Sequence, residues 1–200
     1  MLPTKEEANA MLVKAHEQNP GPWADHCRVA ASVAETIAKE CDMDSHRAYV
    51  SGLLHDIGRY EGVRGLHHVY AGYEAMKDKG YNQIARICLS HSFPSKDIDA
   101  YAGGDLDCTP VEMAVIESFI SEVIFDDYDK LIQLCDAMSM AEGVCLIELR
   151  LFDGVRRYGF NDFTLRKWDA FFELKKYFSE LCGKNVYDLF YDEIRDVCFR

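Results

Sequence analysis

Two histidines and two aspartates stand in a distinct order along this chain: His26, then the adjacent pair His55-Asp56, then Asp136. Neutral imidazoles and carboxylates are the ligand set of a hydrolytic divalent metal. A metal held this way can make hydroxide from water near neutral pH and draw charge off a phosphoryl oxygen. Asp136 sits among Ile132, Leu134 and Cys135, which argues that it faces inward. A buried carboxylate without a partner is costly, so a metal or another cation is the expected companion.

Helices must carry these residues. Thr4-x-x-Glu7 is a capping box that starts the first one, and Asn19-Pro20-Gly21-Pro22 breaks it. His26, Val29, Ala30, Val33 and Ile37 follow at helical spacing, so His26 begins an apolar stripe. The pair His55-Asp56 ends a small apolar run from Ala48 to Leu54 and leads into a loop, Gly58 to Gly65. Leu66 to Lys79 reads as a helix closed by Gly80. Ile84, Ile87, Cys88 and His91 share one face of the next helix. The polar stretch from Pro94 to Cys108, with Gly103-Gly104, reads as a surface loop, in the position of a flap over the site. Thr109-Pro110-Val111-Glu112 restarts a helix with cap, proline and capping-box glutamate in order. A helix from about Tyr128 to Leu151 carries Asp136, and a glycine-rich corner (Gly154, Gly159) precedes a long helix from Phe163 to Cys182, ended by Gly183. A short final helix runs from about Asn185. The expectation is an all-α protein of about eight helices. It is read as one domain over residues 1–200, with a ligand core at about 22–140 and a helical extension at about 141–200.

Composition narrows the partners. A net charge of −12 argues against an extended nucleic-acid-binding face. No apolar run reaches the ~20 residues needed to span a bilayer, and the start of the chain lacks an apolar signal core. A cytoplasmic location and no membrane association are therefore expected. The eight cysteines contain no C-x-x-C, and Cys27, Cys88 and Cys135 lie in apolar helical patterns. Reduced core thiols are the expectation rather than a disulfide framework.

The H…HD…D order, with Ile57-Gly58 directly after the pair, resembles the HD superfamily of metal-dependent phosphohydrolases. The resemblance implies a helical bundle in which His26, His55, Asp56 and Asp136 hold one metal. Two further histidines extend it. His68 opens His68-Val69-Tyr70-Ala71-Gly72, and His91 stands near the end of the next helix. This second set resembles the dinuclear branch of the superfamily, which includes bacterial symmetrical diadenosine-tetraphosphate hydrolases and cyclic-di-GMP phosphodiesterases. The GYP triplet of the latter is absent. The branch implies that Asp56, His68 and His91 hold a second ion. His67 competes with His68 for this role, and the H-x-x-x-G match favours His68. The implied cofactor is one or two divalent transition metals (Fe, Mn, Co, Ni or Zn), with two favoured.

The resemblance also implies the chemistry: hydrolysis of a phosphoester or phosphoanhydride in a small phosphorylated substrate, a nucleotide or dinucleotide being favoured. Asp56 is the expected catalytic ligand. Arg59, three residues on, is the expected cation at the phosphate, both catalytic and substrate-binding. Arg156 and Arg157 form a basic corner that folds back on a phosphate in one reading and is a salt-bridged structural corner in the other. Trp168, Phe171, Phe172 and Phe178 are most simply core. His16, His46 and Lys130 are expected at the surface. The alternative to an enzyme is a regulatory protein that keeps the metal cage and binds a nucleotide without turning it over. Oligomeric state is open, with a homodimer as one option.

Overall fold

The computed structural model describes residues 1–101 and 105–198, so Gly103 and Gly104 of the expected loop lie outside the described residues. Among the described residues the chain folds into ten α-helices, short 3-10 turns and one two-stranded hairpin. The all-α expectation holds. Two capping boxes read from the sequence are formed: Thr4 with Glu7 starts α1 (Lys5–Gln18), and Thr109 with Glu112 starts α6 (Pro110–Glu122).

α2 (Trp23–Glu40) is rich in buried small residues, among them Ala30, Ala31, Ala34 and Ala38. They let it lie close against α3 (Ser45–Leu54). The approach is so tight that a Cβ at Gly52 of α3 would stand 2.9 Å from the Ala30 carbonyl oxygen. α3 is N-capped by Asp44, whose carboxylate accepts from the His46 and Arg47 amides. A 3-10 turn, Ile57–Glu61, carries the chain away from α3. α4 (His67–Asp78) and α5 (Asn82–Ser90) follow, with Gly80 (φ 77°) making the left-handed corner between them.

α7 (Asp127–Ala137) starts with a third capping box, Asp126 with Asp129. Asp129 is fully buried and does more than cap. It accepts from Arg86 Nε (3.0 Å), Ser90 Oγ (2.7 Å) and the Asp126 amide (2.9 Å), which ties the end of α5 to the start of α7. The helix expected from Tyr128 to Leu151 is interrupted. After Ala137 the strands β1 (Ser139–Met140) and β2 (Gly143–Val144) pair antiparallel, turned by Gly143 at φ 141°. α8 (Ile147–Tyr158) begins only then, so Gly154 lies inside a helix and only Gly159 ends one. α9 (Thr164–Cys182) ends on Gly183 in the left-handed region, as its position suggested. A 3-10 turn (Val186–Phe190) and α10 (Tyr191–Cys198) close the described chain. The hairpin splits one expected helix into two, which accounts for much of the excess over eight.

The core has three parts. Val33 and Ile37 of α2 pack with Leu131 and Leu134 of α7 and Phe178 of α9. Leu12, Cys27, Leu53 and Ile84 join α1, α2, α3 and α5. Leu66, Val69, Leu89 and Ile116 join α4, α5 and α6. The cysteines named as core thiols are free, but one pair departs from a reduced set: Cys41, at the end of α2, is disulfide-bonded to Cys182, the last residue of α9, with Cα atoms 5.0 Å apart. The two helix ends meet because α2 and α9 pack on the same core, a relationship 141 residues apart in sequence. The other six cysteines are free thiols, and Cys27, Cys88 and Cys135 are buried. No helix among the described residues is long and apolar enough to cross a membrane.

Candidate metal centre

Five helix ends converge between the three parts of the core, and each brings a candidate metal ligand. His26 lies in the first turns of α2, His55 and Asp56 follow α3, His68 opens α4, His91 follows α5 and Asp136 is near the end of α7. A pair of glycines makes a very close approach here. A Cβ on Gly58 would stand 2.0 Å from the His68 carbonyl oxygen and 2.4 Å from the Gly72 nitrogen. The glycines of Asp56-x-Gly58 and His68-x-x-x-Gly72 therefore let α4 press against the turn after Asp56. That contact brings His68 Nε2 to 3.0 Å from Asp56 Oδ1.

The six side chains form overlapping groups of potential ligands. His26, His55 and Asp56 form one, Asp56, His68 and His91 another, and His55, His91 and Asp136 a third that links them. Asp56 Oδ1 lies 3.3 Å from His91 Nε2, and Asp136 Oδ1 lies 3.2 Å from His26 Nε2. His68, not His67, enters the cluster. His67 turns away, with its ring nitrogens 2.7 Å from Glu61 and 3.2 Å from Glu112. Burial opposes its charge, but the two carboxylates raise its pKa. His16 and His46 are half-buried outside the cluster, and His46 Nε2 is 3.0 Å from the Pro3 carbonyl oxygen.

The orientation of the rings decides what the cluster can hold. Each of the four histidines places Nδ1 against a main-chain carbonyl: His26 on Ser139 (3.1 Å), His55 on Gly52 (2.7 Å), His68 on Gly65 (2.5 Å) and His91 on Cys88 (2.9 Å). A carbonyl can only accept, so each Nδ1 carries the proton. In a neutral ring Nε2 is then a bare lone pair. Burial drives the His55 imidazolium pKa down to about 4 and also lowers that of His68. Yet Nε2 faces Nε2 at 3.3 Å between His26 and His55, and at 3.4 Å between His68 and His91. Asp56 Oδ1, also buried, accepts no hydrogen bond. Lone pairs converging on lone pairs and a bare carboxylate oxygen need a cation among them. The donor set, with every ring oriented by a carbonyl behind it, fits divalent transition metals.

Burial alone would raise the Asp56 carboxyl, but the Arg59 guanidinium bonded to it holds it well below the usual carboxylate range. Burial would raise the Asp136 carboxyl too, but the groups around it, His26 nearest, hold it low in the same way. Both are carboxylates at neutral pH, as ligands must be. Arg59 Nε donates to Asp56 Oδ2 at 2.5 Å, so this cation is bound first to a ligand carboxylate.

A cavity of about 140 Å³ opens from the cluster. Its floor includes Asp56, His68, His91 and Asp136, and its walls carry Arg59, Tyr101, Arg150, Lys167, Trp168 and Phe171. Arg156 and Arg157 do not line it. Both are exposed, and Arg157 pairs with Asp153 one turn back on α8. The basic residues at the cavity from this part of the chain are instead Arg150 and Lys167. Their signal was a helical face that mixes charge and apolar groups: Arg150, Leu151, Gly154 and Val155 on α8, and Lys167, Trp168 and Phe171 on α9. Phe171 and Phe178 are buried as expected, with Phe178 wholly in the core. The segment before residue 109 is more than a surface loop. Tyr101 is buried in the cavity wall, the Asp107 carboxylate accepts from the Gly65 and His67 amides, and the Asp105 carbonyl accepts from Leu66. It thus fixes the start of α4 on which His68 sits.

A family model described as HD domain matches residues 23–141, more than half of the chain. The chain belongs to the HD domain family. HD domains bind divalent metals and are generally metal-dependent hydrolases. No curated protein and no solved structure matches the chain. Every candidate ligand lies inside the HD domain match, whereas Arg150, Lys167, Trp168 and Phe171 lie beyond it.

Proposed function

We propose that this HD domain protein is a metal-dependent phosphohydrolase acting on a compact phosphoester. His26, His55, Asp56 and Asp136 would hold one divalent transition ion, and Asp56, His68 and His91 a second. The observation that carries the reading is the confrontation of bare Nε2 atoms around Asp56. Bound there, such ions supply an activated water near neutral pH and withdraw charge from the phosphoryl oxygens.

The chain's own residues do the rest. Asp56 is positioned by Arg59 and joins the two ligand groups, so its carboxylate fixes where a phosphoryl group and a water can meet. Arg59 and Arg150 present cations at the cavity wall, where negative charge grows on the phosphoryl oxygens. Cys27 and Cys88, close by, do not compete as nucleophiles, because burial pushes both thiols well above their ordinary range. The cavity is small beside the ~300–1,000 Å³ of typical ligand pockets. It favours a phosphoryl group with a small remainder over a fully enclosed dinucleotide.

The test is release of inorganic phosphate from a panel of phosphomonoesters and nucleotides, using chelated protein reloaded with Mn²⁺, Fe²⁺, Co²⁺, Ni²⁺ or Zn²⁺. Turnover that requires metal and disappears in Asp56→Ala is expected. Nucleotide binding without turnover under every metal would move the chain to the regulatory reading.

A further inference from the structure

The cavity contains more positive charge than the ligand carboxylates answer. Asp56 and Asp136 are its acidic lining, and Arg59, Arg150 and Lys167 its basic lining. Arg59 is bonded to Asp56, and Arg150 stands 3.8 Å from Asp136 and 3.9 Å from Asp153. Lys167 is left. Among the described residues no carboxylate lies within ion-pair distance of its ammonium group. Its recorded partners are instead aromatic faces, with Nζ 5.7 Å from the Tyr101 ring centre and 5.9 Å from that of Phe171. Those distances are at the outer edge of cation–π attraction and leave the half-buried ammonium without a strong partner. Burial accordingly lowers the Lys167 pKa to about 8.

A donor stands on the same wall. The Tyr101 hydroxyl is buried and has no hydrogen-bond partner. Burial also keeps the phenol protonated, so it has a proton to give. A buried hydroxyl with no partner and a half-buried lysine with no counterion, both lining one cavity, are two independent vacancies for the same kind of group: an anion.

We infer that the substrate carries two anionic groups, a phosphoryl group over the His/Asp cluster and a second phosphate or carboxylate received by Lys167 with the Tyr101 hydroxyl. This rests on the phosphohydrolase reading for the first group only. The second group binds away from the reacting phosphorus and selects the substrate. The cavity volume suits such a compact dianionic molecule. Lys167 lies on α9, beyond the HD domain match, whereas Tyr101 lies inside it, so the second subsite joins the HD domain to the segment that follows.

The experiment is calorimetric binding of non-hydrolysable ligands to the Mn²⁺-loaded protein: methylphosphonate with one anionic group, methylenediphosphonate with two phosphonates, and phosphonoacetate with a phosphonate and a carboxylate. A charge-assisted pair at Lys167 should make at least one two-anion ligand bind roughly tenfold tighter than methylphosphonate. The tighter of the two identifies the second group. Lys167→Met should reduce that preference to about twofold or less while leaving methylphosphonate affinity unchanged, and Tyr101→Phe should reduce it in part. Lys167→Gln serves if the methionine variant does not fold. No preference in the wild type, or a preference kept in full by the Lys167 variant, overturns the inference. The latter would place both anions on the metals. Loss of all phosphate-release activity with the binding pattern intact would instead sink the hydrolase reading and leave the second subsite standing.

Discussion

His26 and His55 present Nε2 to Nε2 at 3.3 Å, although each ring already directs its Nδ1 to a main-chain carbonyl. The two carbonyls come from distant parts of the chain: Gly52 in α3, and Ser139 in the hairpin after α7. Backbone geometry thus fixes the tautomer of each ring, and the tautomer aims both lone pairs at one place. The same arrangement recurs at His68 and His91, so what the fold prepares is a set of imidazoles with their Nε2 atoms gathered around two carboxylates.

Arg59→Ala should weaken activity or metal affinity by about 10–100-fold, the usual effect of removing a partner that orients a ligand. The motive is the Arg59 Nε to Asp56 Oδ2 bond at 2.5 Å. Titration of Mn²⁺ followed by turnover at saturating metal separates the two effects. Wild-type values for both would show that Arg59 does not act on Asp56.

Gly58→Ala tests the close approach of α4. The added methyl would stand 2.0 Å from the His68 carbonyl oxygen, which is main chain and cannot swing aside. A loss of about 2–3 kcal/mol is expected from overpacking. Metal content should fall with it, because His68 must retreat from Asp56. Thermal unfolding and metal analysis on the same preparation check both. A variant of unchanged stability would mean that α4 can move without cost.

Asp129→Ala should cost about 3 kcal/mol, the lower end for breaking a buried ion pair, because Arg86 keeps some water. Asp129 is fully buried and accepts from Arg86, Ser90 and the Asp126 amide. Urea unfolding gives the number. A change under about 1 kcal/mol would deny that this network braces α5 against α7.

Acid should erase part of the advantage of Asp126. Burial opposes ionisation, yet the Asp129 amide and Arg47 lower the carboxyl pKa below its ordinary value. A folded pKa below the unfolded one means that the ionised carboxylate stabilises the fold. That contribution is complete above about pH 4 and disappears as pH falls through the folded value. In metal-free protein, Asp126→Ala should be less stable than wild type by about 1 kcal/mol at pH 6. The gap should close as the pH drops below about 4. A gap that stays constant into acid would assign the effect to packing.

Local signals in the sequence located most of the helices. The boxes at Thr4 and Thr109 need only four residues, and Gly80 and Gly183 mark corners by their own conformational freedom. The candidate ligands were legible through the H…HD…D order and the H-x-x-x-G match, and the glycines in both stretches stand where the turn after Asp56 meets α4. Long-range relations were not legible. The Cys41–Cys182 bond, the Ser139 carbonyl behind His26 and the Lys167 ammonium beside Tyr101 all depend on how α9 and the hairpin pack against the ligand core. Arg156-Arg157 drew attention as a visible pair, but helix phase places Arg150 at the cavity and leaves that pair exposed.

The central claim is that the His/Asp cluster exists to hold divalent metal, and metal stoichiometry tests it most directly. Chelated protein would be reloaded with Mn²⁺ or Fe²⁺, desalted and analysed by mass spectrometry for ions per chain. Wild type should retain about two ions and His91→Ala about one, as in two-metal hydrolases with one site removed. Asp56→Ala should retain fewer than one, since Asp56 belongs to both ligand groups. A folded wild-type chain that retains no ion, or folded variants that retain as many as wild type, would contradict the account.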